Sequence, residues 1–326
     1  ITIFGKYIEK GMKTILITGI GGDIAQSIAS ILHEERSDIK LIGTDTNLQN
    51  AGSLFVDEVF QVPFASSVNY LGKIKELVDV FFIDVIIPAS EQEQIVFASI
   101  ENKIGESCRI ITAGKNIISI GSDKLKTINF LTLLGIPTPW TMVVNKENLP
   151  INFPCIFKAR QGSGSKNVFL VKDKDEAIFF ANKFPDSIFQ ELLEPDNQEI
   201  TCAVYRTKDG RVSVLQLLRD LDDGGITKFA KVVNHASILE MCKIIANKMN
   251  LFGSINIQLR FTSKGPRIFE INPRFSSTVH MRHRLGFSDL LWSLDELDGL
   301  YINFKDIPIN QCMVRVQDVR EIKHLY

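Results

Sequence analysis

The first third of the chain alternates short apolar segments with segments of helical periodicity, and this alternation limits the fold more than any other feature. Strands are predicted at residues 13–18, 40–45, 84–88 and 109–112, and helices at 25–31, 70–80 and 92–100. Strands that alternate with helices favour a parallel sheet covered by helices on both faces. The segment therefore predicts an α/β domain.

The pattern changes after a helix predicted at residues 123–134. Gly135 follows this helix, and Pro137 and Pro139 come shortly after it, which is a typical helix stop. Beyond it, strands are predicted at 154–159, 167–171, 187–191, 199–207, 211–219, 254–261 and 267–272, with helices at 175–184 and 235–250. A turn rich in hairpin residues joins the last two strands, so α+β architecture with antiparallel pairs is expected here.

Composition excludes several classes of protein. The 326 residues contain 37 Lys and Arg against 38 Asp and Glu, so there is no basic excess of the kind that nucleic-acid binders carry. The five cysteines are scattered and form no CxxC pair, which fits a reducing compartment. We find no secretory signal and no apolar run long enough to cross a bilayer, so a cytoplasmic protein is expected.

Two glycine clusters follow predicted strands, where a backbone can approach a phosphate closely. In the first, Gly19, Gly21 and Gly22 precede a helix, and Asp45 ends the next strand, where it could meet a ribose hydroxyl. The spacing is not GxGxxG, so a plain tight turn is the alternative. In the second, Lys158 ends a strand and the loop Gln161-Gly162-Ser163-Gly164-Ser165-Lys166 follows. This loop lacks the Walker ending; it is either a phosphate loop or an ordinary hairpin loop.

A third constellation lies on the last two predicted strands. Glu270 and Asn272 are two residues apart and so face the same side, and Gln258 lies on the preceding strand. One carboxylate and two amides are hard oxygen ligands that suit Mg²⁺ bound to phosphates. Arg274 follows at once and could stabilise a transferring phosphoryl group. The alternative is a solvated strand edge, but a polar face opposite buried apolar residues needs a partner.

A fourth segment, Ile188-Phe189-Gln190-Glu191-Leu192-Leu193, runs out of a predicted strand towards Glu199. Backbone groups at the end of such a strand can bond an adenine edge, and a carboxylate downstream can accept ribose hydroxyls. Taken alone, the segment would be core followed by surface acids.

The order of these motifs resembles the ATP-grasp superfamily over about residues 120–280. The matching residues run from Asp123 and Lys124, through Lys158 and the Gly162–Ser165 loop, to Glu191, Glu199, Gln258 and the string Glu270-Ile-Asn-Pro-Arg274. The chain is most similar to short carbamoyl-phosphate-synthase-like chains, including amino-acid ligases. The implied organisation is a leader or cloning remnant at 1–11, a Rossmann-like pre-ATP-grasp domain at 12–119 and an ATP-grasp domain at 120–326. The last would divide into a small lid subdomain at about 140–190 and a larger part at 191–326.

The resemblance implies a role for each matched position. Lys124, Lys158, Gly162, Ser163, Gly164 and Ser165 would contact the phosphates of ATP, Gln190, Glu191, Leu192 and Leu193 the adenine, and Glu199 the ribose. Gln258, Glu270 and Asn272 would bind two Mg²⁺ ions, for which Mn²⁺ is expected to substitute, and Arg274 would steady an acyl phosphate. Lys158 and Arg274 are thus the candidate catalytic residues.

The implied reaction joins a carboxylate to an amine. A carboxylate oxygen attacks the γ-phosphorus of ATP, ADP leaves, and an amine then displaces phosphate from the acyl carbon. The chain departs from relatives after Arg274, where the candidate substrate residues are Ser276, Ser277, Thr278 and Arg282, with Arg219 and Lys228 as loosely matched anion contacts. His280 and His283 are three apart, but their cationic neighbours argue against a transition-metal site. Arg282 instead suggests a substrate-facing cation.

Other interpretations stay open from the sequence alone. The Gly19 turn allows a nicotinamide-dependent epimerase or oxidoreductase. A non-catalytic nucleotide-binding regulator is a further alternative, against which the full metal-ligand set argues. The expected partners are a small carboxylate and an amine, amino acids by resemblance, with no nucleic acid and no membrane. A homodimer through apolar surface of the first domain is also an open alternative.

Overall fold

The computed structural model describes residues 12–100, 104–105, 107–162 and 168–321. It divides into two compact units. One comprises the described residues up to Thr112 together with 319–321, and the other runs from Ala113 to Asp318. The domain division predicted at residues 119 and 120 stays a prediction. The predicted leader at 1–11, and Ser163, Gly164 and Ser165, lie outside the described residues.

The first unit is a parallel α/β domain, as the alternation of its elements predicts. In chain order its elements are β1 Lys13–Thr18, α1 Asp23–Glu35, β2 Ile39–Asp45, a short 3₁₀ helix Ala51–Leu54, β3 Glu58–Gln61, α2 Tyr70–Phe81, β4 Val85–Pro88, α3 Glu91–Ser99 and β5 Arg109–Ile110. The strands form a five-stranded sheet in the order β3-β2-β1-β4-β5, and all its pairs are parallel. Ile15, Leu16 and Ile17 are consecutive and fully buried, as expected for a parallel strand that is covered on both faces.

The Gly19 turn after β1 is closed by the side chain of Asp45. The Gly21 N–H donates to Asp45 Oδ2 at 2.8 Å, and a Cβ on Gly21 would lie 2.8 Å from Asn50 Nδ2. Gly19 has a φ of +64°, which favours glycine. The turn therefore binds its own carboxylate, so Asp45 acts here as a structural acceptor.

The second unit contains two antiparallel sheets. In chain order its elements are α4 Lys115–Gly121, α5 Lys124–Leu133, β6 Thr141–Val143, β7 Cys155–Ala159, β8 Val168–Val171, α6 Lys174–Lys183, β9 Ser187–Glu191, β10 Glu199–Arg206, β11 Val212–Leu221, β12 Thr227–Val233, α7 Ala236–Lys248, β13 Gly253–Thr262, β14 Gly265–Asn272, α8 Val279–Arg284, α9 Asp289–Leu297 and β15 Cys312–Val314. Within the described ranges the small sheet has the order β6-β9-β7-β8 and the large sheet the order β14-β13-β10-β11-β12-β15. The predicted α+β architecture of this part is confirmed.

The small sheet packs α6 on one face through aromatic side chains. Phe157 and Phe189 are fully buried, and the Phe157 ring stacks on Phe180 with centroids 4.6 Å apart. Because side chains alternate along a strand, Lys158 lies on the opposite face of β7 from Phe157. The aromatic core thus fixes the face that Lys158 presents.

The large sheet has one apolar face and one mixed face. Ile200, Cys202 and Val204 of β10 pack into a core with α7. On the opposite face, Ala203 and Tyr205 pack against residues of α8 and α9. Other positions of this face are polar, among them Glu199, Thr201, Arg219, Asn256, Gln258, Arg260, Glu270 and Asn272. Polar groups on a face that is otherwise packed need partners, so this end of the sheet is the candidate site.

A β-bulge at Phe269 sets which residues of β14 reach the polar face. Gln258 pairs with Glu270, but the next residue, Leu259, pairs with Ile268, so Phe269 is left over. Ile268 and Ile271 are both fully buried in the apolar core, although they are three positions apart in the sequence. The extra residue reverses the alternation and turns Phe269 and Glu270 away from that core. Phe269 itself is half-buried.

Within the described residues, no helix has both the length and the apolar character that crossing a bilayer requires.

Candidate functional site

Lys158 is a buried cation between the two sheets of the second unit. Its residue is 7% exposed, and its Nζ lies 5.5 Å from the centroid of the Phe269 ring. Burial lowers the pKa of Lys158 to about 8, the nearby carboxylates of Glu270 and Glu199 oppose this shift, and the charge of Lys124 adds to it. A buried lysine close to two carboxylates is a candidate contact for a polyanion.

The depressed pKa of Lys158 predicts that stability rises with pH between about 8 and 10.5. In this range the unfolded chain still binds the Lys158 proton whereas the folded chain has lost it, so raising the pH favours the folded state. We therefore expect wild type to gain stability relative to Lys158→Met, which has no such proton, as the pH rises from 8 to 10. The measurement is urea unfolding of both proteins across this range. A stability difference that does not change with pH would contradict the lowered pKa.

Lys124 begins α5, and its side chain reaches the start of the glycine-rich loop. Its Nζ donates to the Gly162 carbonyl at 2.7 Å, and its backbone N–H donates to the Arg160 carbonyl at 3.0 Å. Asp123 caps α5 by accepting from the backbone N–H groups of Leu125 and Lys126. The Arg160 guanidinium also binds Asp123 through two nitrogens at 2.7–2.9 Å. This contact joins the end of β7 to the start of α5, so Lys124 reaches the loop that Lys158 precedes.

The Asp123 carboxyl is the anchor of this junction. Burial alone would raise its pKa, but the hydrogen bonds from Arg160 and from the Lys126 N–H outweigh it and lower the pKa. Asp123 is therefore ionised at neutral pH.

The three candidate metal ligands lie on neighbouring strands of the polar face. Gln258 pairs directly with Glu270, and Asn272 pairs with Asn256 in the next row. Gln258 and Glu270 are half-buried and Asn272 is 5% exposed. Their oxygens suit Mg²⁺, although they include a single carboxylate. Among the residues that the structure describes, no group of three or more His, Cys, Asp or Glu is arranged to bind a metal. Because these three residues include only one carboxylate, they fit ions whose positive charge is also offset by bound phosphates.

The strand end predicted to contact adenine is tied to the neighbouring strand. Gln190 is 4% exposed, and its Nε2 donates to Thr141 Oγ1 at 2.8 Å. The side chain of Glu191 accepts from the Trp140 N–H at 3.1 Å, and the Glu191 backbone N–H donates to the Trp140 carbonyl at 2.9 Å. Beyond the strand, Leu192 is half-buried and Leu193 buried. These two residues begin the linker to β10.

Glu199, predicted to accept ribose hydroxyls, is bound by two arginines. Arg219 donates to Glu199 Oε1 from Nη2 at 2.7 Å and from Nε at 3.2 Å. Arg260 donates to Oε2 from Nη2 at 2.9 Å. Arg219 was a candidate substrate contact, but its guanidinium donates hydrogen bonds to Glu199 and, at 3.3 Å, to Thr227 Oγ1. The structure thus brings Arg219 to the site as a partner of Glu199.

The segment after Arg274 folds into a buried turn. Arg274 Nη1 donates to the Phe275 carbonyl at 2.9 Å, and the hydroxyls of Ser276 and Thr278 lie 2.8 Å apart. Ser276 and Thr278 are buried and Ser277 is half-buried. Ser277 is therefore the hydroxyl of this turn with the greatest exposure.

Arg282 differs from the expectation of a substrate-facing cation. It is fully buried, and its guanidinium pairs with Asp289 at 2.7 and 2.9 Å and reaches Ser276 Oγ at 3.4 Å. A buried charge needs such a partner because desolvation is otherwise costly. Arg282 thus supports the turn from beneath.

Lys228 and Arg315 lie near the same turn. Lys228 is exposed on β12, and its carbonyl accepts the Arg315 N–H at 2.8 Å. Arg315 also donates from its guanidinium to the carbonyls of Thr227 and Ser277. Sequence reasoning did not find Arg315, because it lies beyond the last segment for which an element was predicted. It also missed Arg260, although Gln258 and Arg260 are two apart on one strand and the alternation indicates a common face.

The geometry agrees with the family to which the sequence is similar. Residues 121–278 match the family model described as the ATP-grasp domain. The carbamoyl-phosphate synthase of Methanobrevibacter smithii is 24% identical over 175 residues, which are 51% of this chain and 46% of that protein. The chain therefore spans about half the length of the curated relative that it matches.

Solved structures share the fold over almost the whole chain. An N5-carboxyaminoimidazole ribonucleotide synthetase in complex with ADP is 18% identical, with a TM-score of 0.74, and the match covers 94% of this chain and 82% of that one. The synthetase from Thermus thermophilus is 16% identical, with a TM-score of 0.72 and coverage of 92% and 82%. The biotin carboxylase domain of Hydrogenobacter thermophilus 2-oxoglutarate carboxylase, with MgADP, ADP and bicarbonate, is 15% identical, with a TM-score of 0.73 and coverage of 93% and 74%. At these identities the likeness concerns the fold. Together with the family match, it shows that the chain carries an ATP-grasp domain over residues 121–278.

Proposed function

We propose that this protein is an ATP-dependent ligase that joins a carboxylate to an amine and releases ADP and phosphate. The observation that supports this most is the burial of Lys158. Its charge interacts with the carboxylates of Glu270 and Glu199 and with the ammonium group of Lys124. If the family resemblance holds for these positions, these groups would receive a triphosphate and its metal ions. The names of the similar proteins, two synthetases and a carboxylase domain bound to bicarbonate, favour a small first substrate with a carboxylate-like group.

The proposed nucleotide subsite extends along the two sheets. The backbone of Glu191, Leu192 and Leu193, with Gln190 behind it, would contact the adenine. Glu199 would contact the ribose. The phosphates would be contacted by Lys124, Lys158 and Gly162, and by Ser163, Gly164 and Ser165. Gln258, Glu270 and Asn272 would bind two Mg²⁺ ions, for which Mn²⁺ would substitute. When bound, these ions would offset the negative charge of the phosphates and polarise the γ-phosphoryl group.

The residues of the chain would catalyse mainly by positioning and by charge. A substrate carboxylate held beside Arg274 and the 276–278 turn would attack the γ-phosphorus, forming an O–P bond while the bond to ADP breaks. Lys158 would stabilise the charge that develops on the phosphoryl oxygens, and its burial makes that interaction stronger than it would be in water. The amine would then attack the acyl carbon, and phosphate would leave. Arg274 would steady the acyl phosphate between these steps.

We further propose that Ser276, Ser277, Thr278 and Lys228 border the carboxylate substrate. Arg282 would act on this substrate through Ser276, whereas Arg219 would act on the ribose through Glu199. Amino acids are the proposed class of substrate. A homodimer stays a prediction, supported by the exposed apolar side chains of Phe64, Val68 and Phe82 in the first unit.

The decisive test is product analysis with Mg·ATP across panels of carboxylates and amines. We expect ADP and phosphate to form only when a matching carboxylate is present, and an ¹⁸O label to pass from the carboxylate to the phosphate. AMP and pyrophosphate would indicate adenylation and would overturn the acyl-phosphate route. Thermal stabilisation of the protein by NAD and not by ATP would favour a nicotinamide-dependent enzyme.

A further inference from the structure

Arg260 connects the two parts of the proposed nucleoside subsite through one side chain. It lies on β13, directly opposite Glu199 of β10, and its side chain is 17% exposed. Glu199 is the proposed ribose contact, and Leu193 ends the segment proposed to contact adenine. The inference below rests on the proposed function and concerns how this subsite is shaped.

The Arg260 guanidinium divides its nitrogens between these two elements. Nη1 donates to the Leu193 carbonyl at 2.7 Å and to Asp196 Oδ1 at 3.0 Å. Nη2 donates to Glu199 Oε2 at 2.9 Å. The planar guanidinium has fixed angles between its donors, so it fixes the linker and the carboxylate relative to each other.

The carboxylate of Glu199 has little acceptor capacity left. Each carboxylate oxygen has about two lone-pair positions. Arg219 occupies both on Oε1 through Nε and Nη2, and Arg260 occupies one on Oε2. One position on Oε2 therefore remains for a ligand, and Arg260 sets its direction.

The charges favour this arrangement over a free carboxylate. Glu199 is 12% exposed at its side chain and faces two guanidinium groups, of which Arg219 is 5% exposed. Asp196 balances the additional positive charge, but it is 89% exposed at its side chain and so is screened by water. Loss of Arg260 leaves Glu199 paired with Arg219 and frees the Leu193 linker.

We infer that Arg260 is a positioning residue of the nucleoside subsite, which sets the affinity for the sugar and base of ATP without touching the phosphates or the metal ligands. A hydrogen bond to a charged group contributes enough that its loss or misdirection weakens binding by about ten- to a hundredfold. The effect should therefore appear in ATP binding and in the recognition of the ribose hydroxyls, whereas the rate at saturating ATP should change little.

The test compares Arg260→Met with Arg267→Met by calorimetric titration of ATP, 2′-deoxy-ATP and 3′-deoxy-ATP. Arg267 is the matched control, because it pairs with Arg260 in the sheet and donates to a different carbonyl, that of Thr138, at 3.1 Å. We expect wild type to bind at least one deoxy analogue about tenfold more weakly than ATP. Arg260→Met should bind ATP about ten- to a hundredfold more weakly and lose most of this discrimination. Arg267→Met should resemble wild type.

Each alternative outcome is informative. Equal weakening by both variants, or an unchanged ratio between ATP and the deoxy analogues in Arg260→Met, would overturn the inference and leave the proposed function standing. Failure of wild type to bind ATP would overturn the proposed function and the inference with it. Melting curves establish folding, and if Arg260→Met is unfolded, Arg260→Lys replaces it. That variant keeps the charge but lacks the planar fork, so we expect an intermediate loss of the same discrimination.

Where turnover is measurable, the KM for ATP gives a second readout. In the Arg260 variants this KM should rise, while kcat and the KM for the carboxylate stay within about threefold of wild type. A general loss of structure would change all three quantities. Equal rises in the KM values of both substrates would contradict a role confined to the nucleoside.

Discussion

Glu270→Gln is expected to reduce turnover by about a thousandfold or more while the fold stays intact. Glu270 is the single carboxylate among the three candidate metal ligands, and it lies directly opposite Gln258. The substitution preserves size but removes the negative charge and replaces one of the two ligand oxygens with an NH2 group, which does not bind Mg²⁺. The measurement is ADP release under saturating Mg·ATP, together with a melting curve.

The matched control for this variant is Glu240→Gln on the exposed surface of α7. It removes the same charge far from the polar face, so turnover should match that of wild type. The free energy of unfolding of Glu270→Gln should change by less than about 1 kcal/mol. Near-normal turnover in Glu270→Gln would refute the assignment of metal ligands, whatever the outcome for ATP binding.

Lys158→Met should lower kcat/KM for ATP by about a thousandfold. Methionine fills a similar volume but cannot offset the charge of a phosphoryl group in a site where little water screens it. Because a polyanion raises the pKa of Lys158 from its value of about 8, wild type should also take up close to half a proton on binding ATP at pH 8. Calorimetry in buffers of different ionisation enthalpy measures this uptake, which the variant should lack.

Lys126→Met serves as the control for Lys158→Met. Lys126 is exposed two residues after Lys124 in the first turn of α5, and its Nζ donates to Ser119 Oγ at 3.1 Å. It should retain both the proton uptake and the rate. Equal proton uptake in wild type and Lys158→Met would assign the titrating group elsewhere and remove Lys158 from the phosphate site.

Much of the fold is predictable because its periodic segments are strongly amphipathic or wholly apolar. The predicted strands at 13–18 and 187–191 coincide with β1 and β9, and the helix at 123–134 corresponds to α5 with Asp123 as its cap. Elements with weak periodicity were missed. β3 is a four-residue edge strand with two polar residues, and β12 has two lysines among its seven residues. The short helices α8 and α9 also lacked a prediction.

The candidate site was predictable as a set of residues but not as a network. Alternation along β13 and β14 places Gln258, Glu270 and Asn272 on one face, and the structure brings them together. Sequence spacing carries no information on which distant side chains pair. Arg219 and Glu199, or Arg282 and Asp289, therefore could not be recognised as partners until the fold was known. The buried location of Lys158 likewise depends on the approach of Phe269 from another sheet.

The bulge at Phe269 gives β14 two neighbouring residues on its polar face. Without Phe269 the alternation would be regular, and Ile268 and Ile271 would still share the apolar core while Glu270 stayed opposite Gln258. The ring that lies 5.5 Å from Lys158 Nζ would then be missing. The additional residue thus lets one strand place an aromatic ring beside a buried ammonium group and a carboxylate beside Gln258, while both aliphatic side chains stay in the interior.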